Sequence, residues 1–166
     1  FVSVNDVPLG SIGLSIKFSN FAKLRTRKKP LLRAFLNKNV ALLPVYPGLK
    51  PEVFEFMAEN HDGIVLEGYG AGNIPNGEYS LVSSISKASA NNVPVVVCTQ
   101  CVLGSTEMEL YQVGRAALDA AAIPAMDMTP ETAMVKLMWV LGQSDDISTI
   151  ESMMQKNFVG EIHEVV

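Results

Sequence analysis

Cysteine is scarce in this chain of 166 residues: the two present are too few for a disulfide framework. Aromatic residues are also sparse, 7% against a hydrophobic fraction of 48%, so any core must be built mainly from aliphatic side chains. No run reaches ~18 consecutive apolar residues, and nothing reads as a membrane span. The opening FVSVNDVPLG has neither the charged n-region nor the apolar h-region of a secretory leader, and the low cysteine count leans the same way, toward an intracellular protein. The first residue is Phe1 rather than Met, which leaves room for a longer gene product. There is no Gly-x-Ser-x-Gly nucleophile elbow. Only two histidines, His61 and His163, are present, and they lie far apart along the chain.

Acidic charge is nearly missing from the first third. Residues 1–51 carry nine Lys/Arg against one acid, Asp6, for a charge of +8; residues 52–166 carry four against sixteen, for −12. Most of the excess sits in Lys23, Arg25, Arg27, Lys28, Lys29, Arg33 and Lys38. Such a segment can attract a polyanion. No aromatic residue between 22 and 34 interleaves with the charges to stack on bases, which argues against nucleic acid as a partner. A solvated linker, or an arm that packs on an acidic partner domain, fits better.

What is present from residue 39 onward is a repeated alternation of short apolar run, turn and helical stretch. Val40–Tyr46, Gly63–Glu67, Pro94–Thr99 and Ala122–Ala125 read as strands. The unbroken Val95-Val96-Val97 run is the pattern of a strand buried on both faces. Helices are expected over about 51–60 (Val53, Phe54 and Met57 on one face), 77–90 (Tyr79, Val82, Ile85 and Ala88 at threes), 107–120, 130–141 and 146–157. Thr129-Pro130-Glu131 is a strong helix start, with the hydroxyl as N-cap, proline in the first turn and an acid at the positive helix end. Gly142 stops that helix. The alternation predicts an α/β three-layer domain with four parallel strands flanked by helices. Residues 1–38 do not follow the pattern; with strand-like pieces at Phe1–Val4 and Leu14–Phe18 they read as a linker and the edge of an absent N-terminal domain, and 39–166 as the domain proper.

Ligands of open parallel sheets bind beyond the carboxyl ends of the strands. Three segments should meet there: Glu67 to Asn73, Thr99-Gln100-Cys101, and Met126 to Thr129. Gly68-x-Gly70-x-Gly72 is not a dinucleotide fingerprint, because its third glycine comes one residue early and Pro75-Asn76-Gly77 separates it from a helix. Three glycines suit close backbone approach, or a loop wrapped on a small polar ligand with Asn73 offering donor and acceptor. Cys98-x-x-Cys101 is no redox motif, since Cys98 ends a strand instead of opening a helix, and zinc lacks its remaining ligands. Cys98 should be a buried small hydrophobe. Neither a metal nor a cofactor is expected. Asp127 suits capping or positioning at least as well as chemistry. Composition and spacing reach an α/β domain with a polar small-molecule site and name no reaction.

From Leu43 to Ile162 the sequence resembles the C-terminal domain of L-asparaginases of the bacterial cytoplasmic kind. The landmarks stand in order: Tyr46-Pro47-Gly48, GIVLEGYGAGNIP (63–75), VVVCTQCVLG (95–104), MELYQVGR (108–115), IPAMDMTPETAMVKLMWVLG (123–142) and NFVGEI (157–162). The resemblance implies a cytoplasmic two-domain amidohydrolase that converts L-asparagine to L-aspartate and ammonia, with a threonine nucleophile in a Gly-Gly-Thr-Ile motif of the N-terminal domain and a second Thr-Asp and lysine group. Neither Gly-Gly-Thr-Ile nor Thr-Asp occurs here, so no catalytic residue is expected in this chain and the fragment alone should be inactive.

The resemblance assigns supporting roles. Gly72-Asn73 corresponds to a pair that reaches a partner subunit's active site, which implies a homodimer or homotetramer. Glu67, the Asn73 loop, Thr99, Gln100 and Cys101 correspond to the wall of an effector site for asparagine. Arginine stands there in the family pattern where this sequence has Glu67. The reversed charge removes the natural partner of an asparagine α-carboxylate, and Gln100 and Cys101 then become structural. Asp127, Thr129 and Lys136 belong to the D-M-T…K-L signature and read as structural. Two other assignments compete. The D-type subunit of archaeal Glu-tRNA(Gln) amidotransferase has a similar domain but more typically a histidine where Asn73 stands, and a non-catalytic ligand-binding or oligomerisation domain could keep the same shell.

Overall fold

A computed structural model describes residues 5–20, 22–23, 25–27 and 29–163. The expected strand-like piece Phe1–Val4 and Lys28 of the basic run lie outside them. Four strands, β3 (Val40–Pro44), β4 (Gly63–Gly68), β5 (Val95–Thr99) and β6 (Ala122–Pro124), form one parallel sheet in the order β3-β4-β5-β6. A separate hairpin, β1 (Gly10–Ile12) with β2 (Ile16–Phe18), precedes it. The helices are α1 (Pro51–Asn60), α2 (Val82–Ala90), α3 (Gln112–Asp119), α4 (Pro130–Leu141) and α5 (Ile147–Met154). The three-layer α/β architecture with four parallel strands is as expected.

Alternation along the buried strands builds the two halves of the core. Ala41, Leu43, Ile64, Leu66, Val95, Val97 and Ala122 face one side, against Phe54, Leu81 and Ile85 of the α1–α2 layer and Ala117 of α3. Val40, Val65, Val96, Cys98 and Ile123 face the other, against Ala133, Leu137 and Val140 of α4 and Ile150 and Met154 of α5. The strands stand in chain order, so crossovers of one hand put α1, α2 and α3 on a single face. The chain after β6 must then return to cover the opposite face, and α4 and α5 do so. Pro44 and Pro124 sit in the edge strands, where a missing N–H removes no ladder bond from the sheet centre.

Four helical expectations need correcting. The second helix begins at Val82, not residue 77, and Tyr79 lies outside it. Val53, expected on the inner face of α1, is exposed, while Phe54 is buried. The stretch 107–120 is split into a 3-10 turn, Met108–Leu110, and α3, because Tyr111 is extended (φ −123°, ψ 146°). The turn folds back on α3 at Gly114, where a Cβ would stand 2.2 Å from the Met108 carbonyl oxygen. The last helix ends at Met154, since the following residues turn back around Lys136.

Residues 33–37 are stitched to α4. Trp139 Nε1 donates to Arg33 O (3.0 Å), Gln143 Nε2 to Phe35 O (3.0 Å) and Asn37 N to Met138 O (2.9 Å). The hairpin is different: Leu9, Ile12, Leu14, Ile16 and Phe18 are all exposed. Among the described residues, no helix is long and apolar enough to cross a membrane.

The burial pattern separates two kinds of apolar position. Phe54→Ala is expected to cost about 3–5 kcal/mol, as for a fully buried aromatic. Ile16→Ser in the hairpin should change the stability of this chain by less than ~0.5 kcal/mol. Urea midpoints of the two variants check both.

Candidate functional site

The carboxyl edge of the sheet is held together by backbone groups and short polar side chains. After β4 the chain turns on itself: Tyr69 N donates to Asn73 O (2.7 Å) and Asn73 N to Tyr69 O (2.8 Å). Gly72 closes the turn at φ +89°, a left-handed value that disfavours any side chain, and a Cβ there would press on Thr106 Cγ2 at 3.0 Å. Glu107 N donates to Ala71 O (3.1 Å), tying this loop to the one after β5. Thr99 Oγ1 donates to Gly70 O and accepts from Cys101 N (3.0 Å). Gln100 spans three strand ends, with its N–H on Gly68 O (3.0 Å) and its Nε2 on Glu67 O (2.8 Å) and Val45 O. Met126 N donates to Thr106 Oγ1 (2.9 Å), which joins the third segment. The first two predicted segments therefore meet directly, and the third joins them through Thr106.

Asn73 is the unusual member. Its Oδ1 is buried and has no hydrogen-bond partner among the described residues. A buried acceptor left in that state costs about 1–3 kcal/mol, which makes it a candidate contact for a donor from outside the chain. Glu67 is half-buried, and burial first, then the charge of Glu131, raises its carboxyl above the usual range. Burial pushes the neighbouring Cys98 thiol up to about 12, with the Glu67 charge adding to it. Cys98 lies fully inside and its Sγ donates to Leu66 O at 3.4 Å. It is therefore a protonated filler of the core and not a thiolate. Cys101 is exposed, and both cysteines are free.

Asp127, Thr129 and Lys136 stand at the start of α4 and on its buried side. Thr129 Oγ1 accepts from Thr132 N at 3.3 Å and caps the helix. Lys136, 6% exposed, pairs with Glu161 at 2.8 Å and donates to Lys156 O at 2.8 Å. Burial lowers the pKa of the Lys136 ammonium, and the Glu161 contact opposes that. Burial likewise disfavours the Glu161 anion. It is outweighed by Lys136 and by the backbone N–H groups of Val159, Glu161 and Phe158, which hold the carboxyl at about 2. Asp127 receives both His163 N (2.9 Å) and His163 Nδ1 (2.7 Å). Asp127 and Lys136 thus anchor the C-terminal tail, and Thr129 caps α4.

A recess of about 240 Å³ opens beside them, lined by Asn5, Asp6, Asp127, Thr129, Glu161 and His163 among others. Glu67, Gly72, Asn73, Thr99, Gln100 and Cys101 are not among its walls, so the nine predicted residues fall into two groups. Asn5, Glu161 and His163 escaped the sequence reading. Their partners lie 122, 25 and 36 positions away, and no local spacing signals such contacts.

The fold and this edge define a parallel three-layer α/β domain with a rim of hydrogen-bonded polar loops and, among the described residues, one buried amide acceptor without a partner. Residues 39–154 match the profile of the Glutaminase/Asparaginase C-terminal domain, and the chain belongs to that family. It is 46% identical over 134 residues to an L-asparaginase of Thermococcus kodakarensis, covering 81% of this chain and 40% of the relative. It is 38% identical over 166 residues to the D-type subunit of a Glutamyl-tRNA(Gln) amidotransferase of Pyrococcus horikoshii, covering 98% of this chain and 37% of the relative. Among solved structures, the thermostable L-asparaginase from Thermococcus kodakarensis superposes with a TM-score of 0.89 at 40% identity, over 99% of this chain and 50% of that one. L-asparaginase I from Vibrio cholerae gives 0.86 at 30% identity, over 98% and 50%. The chain spans about two fifths of the length of the curated relatives it matches.

Removing one partner of the Lys136–Glu161 pair strands the other inside, so Lys136→Met is expected to cost about 3 kcal/mol at neutral pH. For Glu161 the folded pKa lies below the unfolded value near ~4.3. Its contribution is complete above that value and is lost as the pH falls toward about 2. The stability gap between the parent and Glu161→Gln should close over that window in urea melts run from neutral to acid pH.

Proposed function

We propose that the full-length protein containing this chain is an L-asparaginase that hydrolyses L-asparagine to L-aspartate and ammonia, without a metal or cofactor. Supporting this is the combination of family membership with a 46% identical L-asparaginase relative. The single structural observation that carries it is the Oδ1 of Asn73, the one buried side-chain polar atom among the described residues without a hydrogen-bond partner. A carbonyl in that position suits the ammonium or amide N–H groups of an amino-acid ligand. The nucleophilic hydroxyl and its base belong to a further domain of the longer polypeptide, and this chain shapes the cleft. In a homodimer or homotetramer the Gly72-Asn73 turn of one protomer serves the active site of its neighbour. The apolar hairpin, exposed here, is the surface on which the N-terminal domain packs. Residues 1–38 link the two and residues 39–166 form the C-terminal domain. The protein works in the cytoplasm.

Gln100 and Thr99 act on the rim as struts, since their polar groups engage backbone partners. Glu67, with Glu131 close enough to raise its pKa, gives this wall an acidic character that repels a carboxylate. Asparagine regulation through Glu67 and Cys101 is accordingly not part of the reading.

One observation favours a second reading. In sequence the amidotransferase relative aligns over 98% of the chain, the basic segment included, where the asparaginase relative aligns over 81% of it, although the asparaginase structure superposes over 99%. Free L-asparagine and glutamine are therefore offered to the full-length protein with and without Glu-tRNA(Gln) and a partner subunit. Ammonia release from asparagine alone is expected. Activity that appears only with glutamine, tRNA and partner would overturn the asparaginase reading. Asn73→Ala should lower kcat/KM for asparagine by roughly tenfold to a hundredfold, the loss of one charge-assisted hydrogen bond to substrate, with the melting temperature unchanged or raised.

A further inference from the structure

Three segments far apart in sequence converge on one imidazole. His163 Nδ1 lies 2.7 Å from Asp127 Oδ2, and its backbone N–H donates to Asp127 Oδ1 at 2.9 Å. Its Nε2 stands 3.9 Å from Asp6 Oδ1. Asn5, next to Asp6, bridges two further pieces: its Nδ2 donates to Gly104 O and to Asp127 O, each at 3.0 Å, and its Oδ1 accepts from Gly104 N at 3.1 Å. Gly104 belongs to the loop that follows Thr99-Gln100-Cys101. Among the described residues, the charged groups facing the ring include Asp127 from the β6–α4 loop, Asp6 from the N-terminal segment and Glu161 from the tail, the last already paired with Lys136 of α4.

We propose that His163 is a pH-dependent clasp: as an imidazolium it fastens the C-terminal tail and Asp6 onto Asp127, and through Asn5 it fixes the Gly104 end of the loop after β5. Loss of the proton leaves a neutral Nδ1–H that still donates to Asp127, but the attraction to Asp6 ends and the Asn5 bridge loosens. The tail is thereby weakened and the loop released. That the loop bounds an amide-binding site rests on the function proposed above; the clasp itself does not.

The direction of the pH response follows from the surroundings. The Asp127 hydrogen bond raises the imidazole pKa, burial works against it, and the charges of Asp127, Asp6 and Glu161 add to the rise. The cation is therefore more stable in the folded protein than in the unfolded chain. The clasp is closed below the ordinary histidine value of ~6.5 and opens as the pH climbs through the raised one.

Amide hydrogen exchange of the full-length protein, followed from about pH 6 to about pH 9 and corrected for the intrinsic exchange rate, tests this. Segments 100–105 and 157–163 are expected to lose about two- to fivefold protection at the upper end, the range of partly exposed ion pairs. His163→Gln should abolish the response in both segments. Asn5→Ala should abolish it in 100–105 and keep it in 157–163. A flat wild-type loop, or a His163→Gln protein that responds like wild type, overturns the clasp. If a variant does not fold, the wild-type imidazole titrated by proton NMR decides: an apparent pKa at or below that of free histidine overturns the proposal, and one above it supports it. Asparagine hydrolysis is not read in this experiment, so its outcome and that of the activity assay stand separately.

Discussion

A parallel sheet whose strands stand in chain order, joined by crossovers of one hand, covers only one of its faces. β3 to β6 are arranged in that way, with α1, α2 and α3 all on the same side. The second face carries Val40, Val65, Val96, Cys98 and Ile123, and its burial depends on the chain after β6 doubling back as α4 and α5. Because it comes off the carboxyl end of β6, α4 begins at the edge where the loops meet. The other features of that edge follow from this placement. The helix cap at Thr129, the tail anchored on Lys136 and Asp127, and the linker laid along Trp139 and Gln143 all attach to α4.

Lys136 shows how the fold uses charge where it has little apolar material left. The tail from Lys156 to His163 contains few large hydrophobes, and only Ile162 is buried in the core. An ammonium buried between the Lys156 carbonyl and the Glu161 carboxylate gives the tail a defined path that apolar contact alone would not give. Phe158 completes the arrangement, with Lys136 over its ring at 5.7 Å and Trp139 edge-on at 5.0 Å. The arrangement is sensitive to loss of either ion, since each is held away from water by the same groups.

The layered architecture was legible because its signals are local. Val95-Val96-Val97 announces a strand buried on both faces, and Thr129-Pro130-Glu131 announces a capped helix. Both depend only on residues next to one another. The false start of the second helix at residue 77 comes from Tyr79 falling in step with Val82, Ile85 and Ala88, a spacing that a turn can share by accident. The broken helix at 107–120 depends on Met108 folding back over Gly114, a close approach that propensity cannot foresee. Of the rim, the three meeting segments were visible, since carboxyl ends of parallel strands converge. The inward, unpartnered carbonyl of Asn73 was not visible, because it depends on which neighbours fail to reach it. In the sequence His163 stands too far from other ligands to suggest a metal site, and its contact with Asp127 is made by the tail's return path.

The distribution of hydroxyls and thiols on the rim bears on where bond breaking takes place. An acyl-transfer nucleophile needs a hydroxyl whose proton is free to pass to a base. Thr99 has its proton on Gly70 O and receives Cys101 N, Thr129 is occupied with Thr132 at the cap of α4, and Thr106 is bound to Met126. The Cys98 thiol is buried and held up at about 12. Asp127 already holds two N–H groups of His163, and the hydrogen bonds of these hydroxyls run to backbone groups or to Thr132, not to a carboxylate or imidazole. The hydroxyls and Asp127 hold loops in place, and Asn73 Oδ1 is the one buried side-chain polar atom among the described residues without a hydrogen-bond partner. Under the function proposed above, this rim accordingly orients a ligand, and the covalent step belongs to a hydroxyl on another domain.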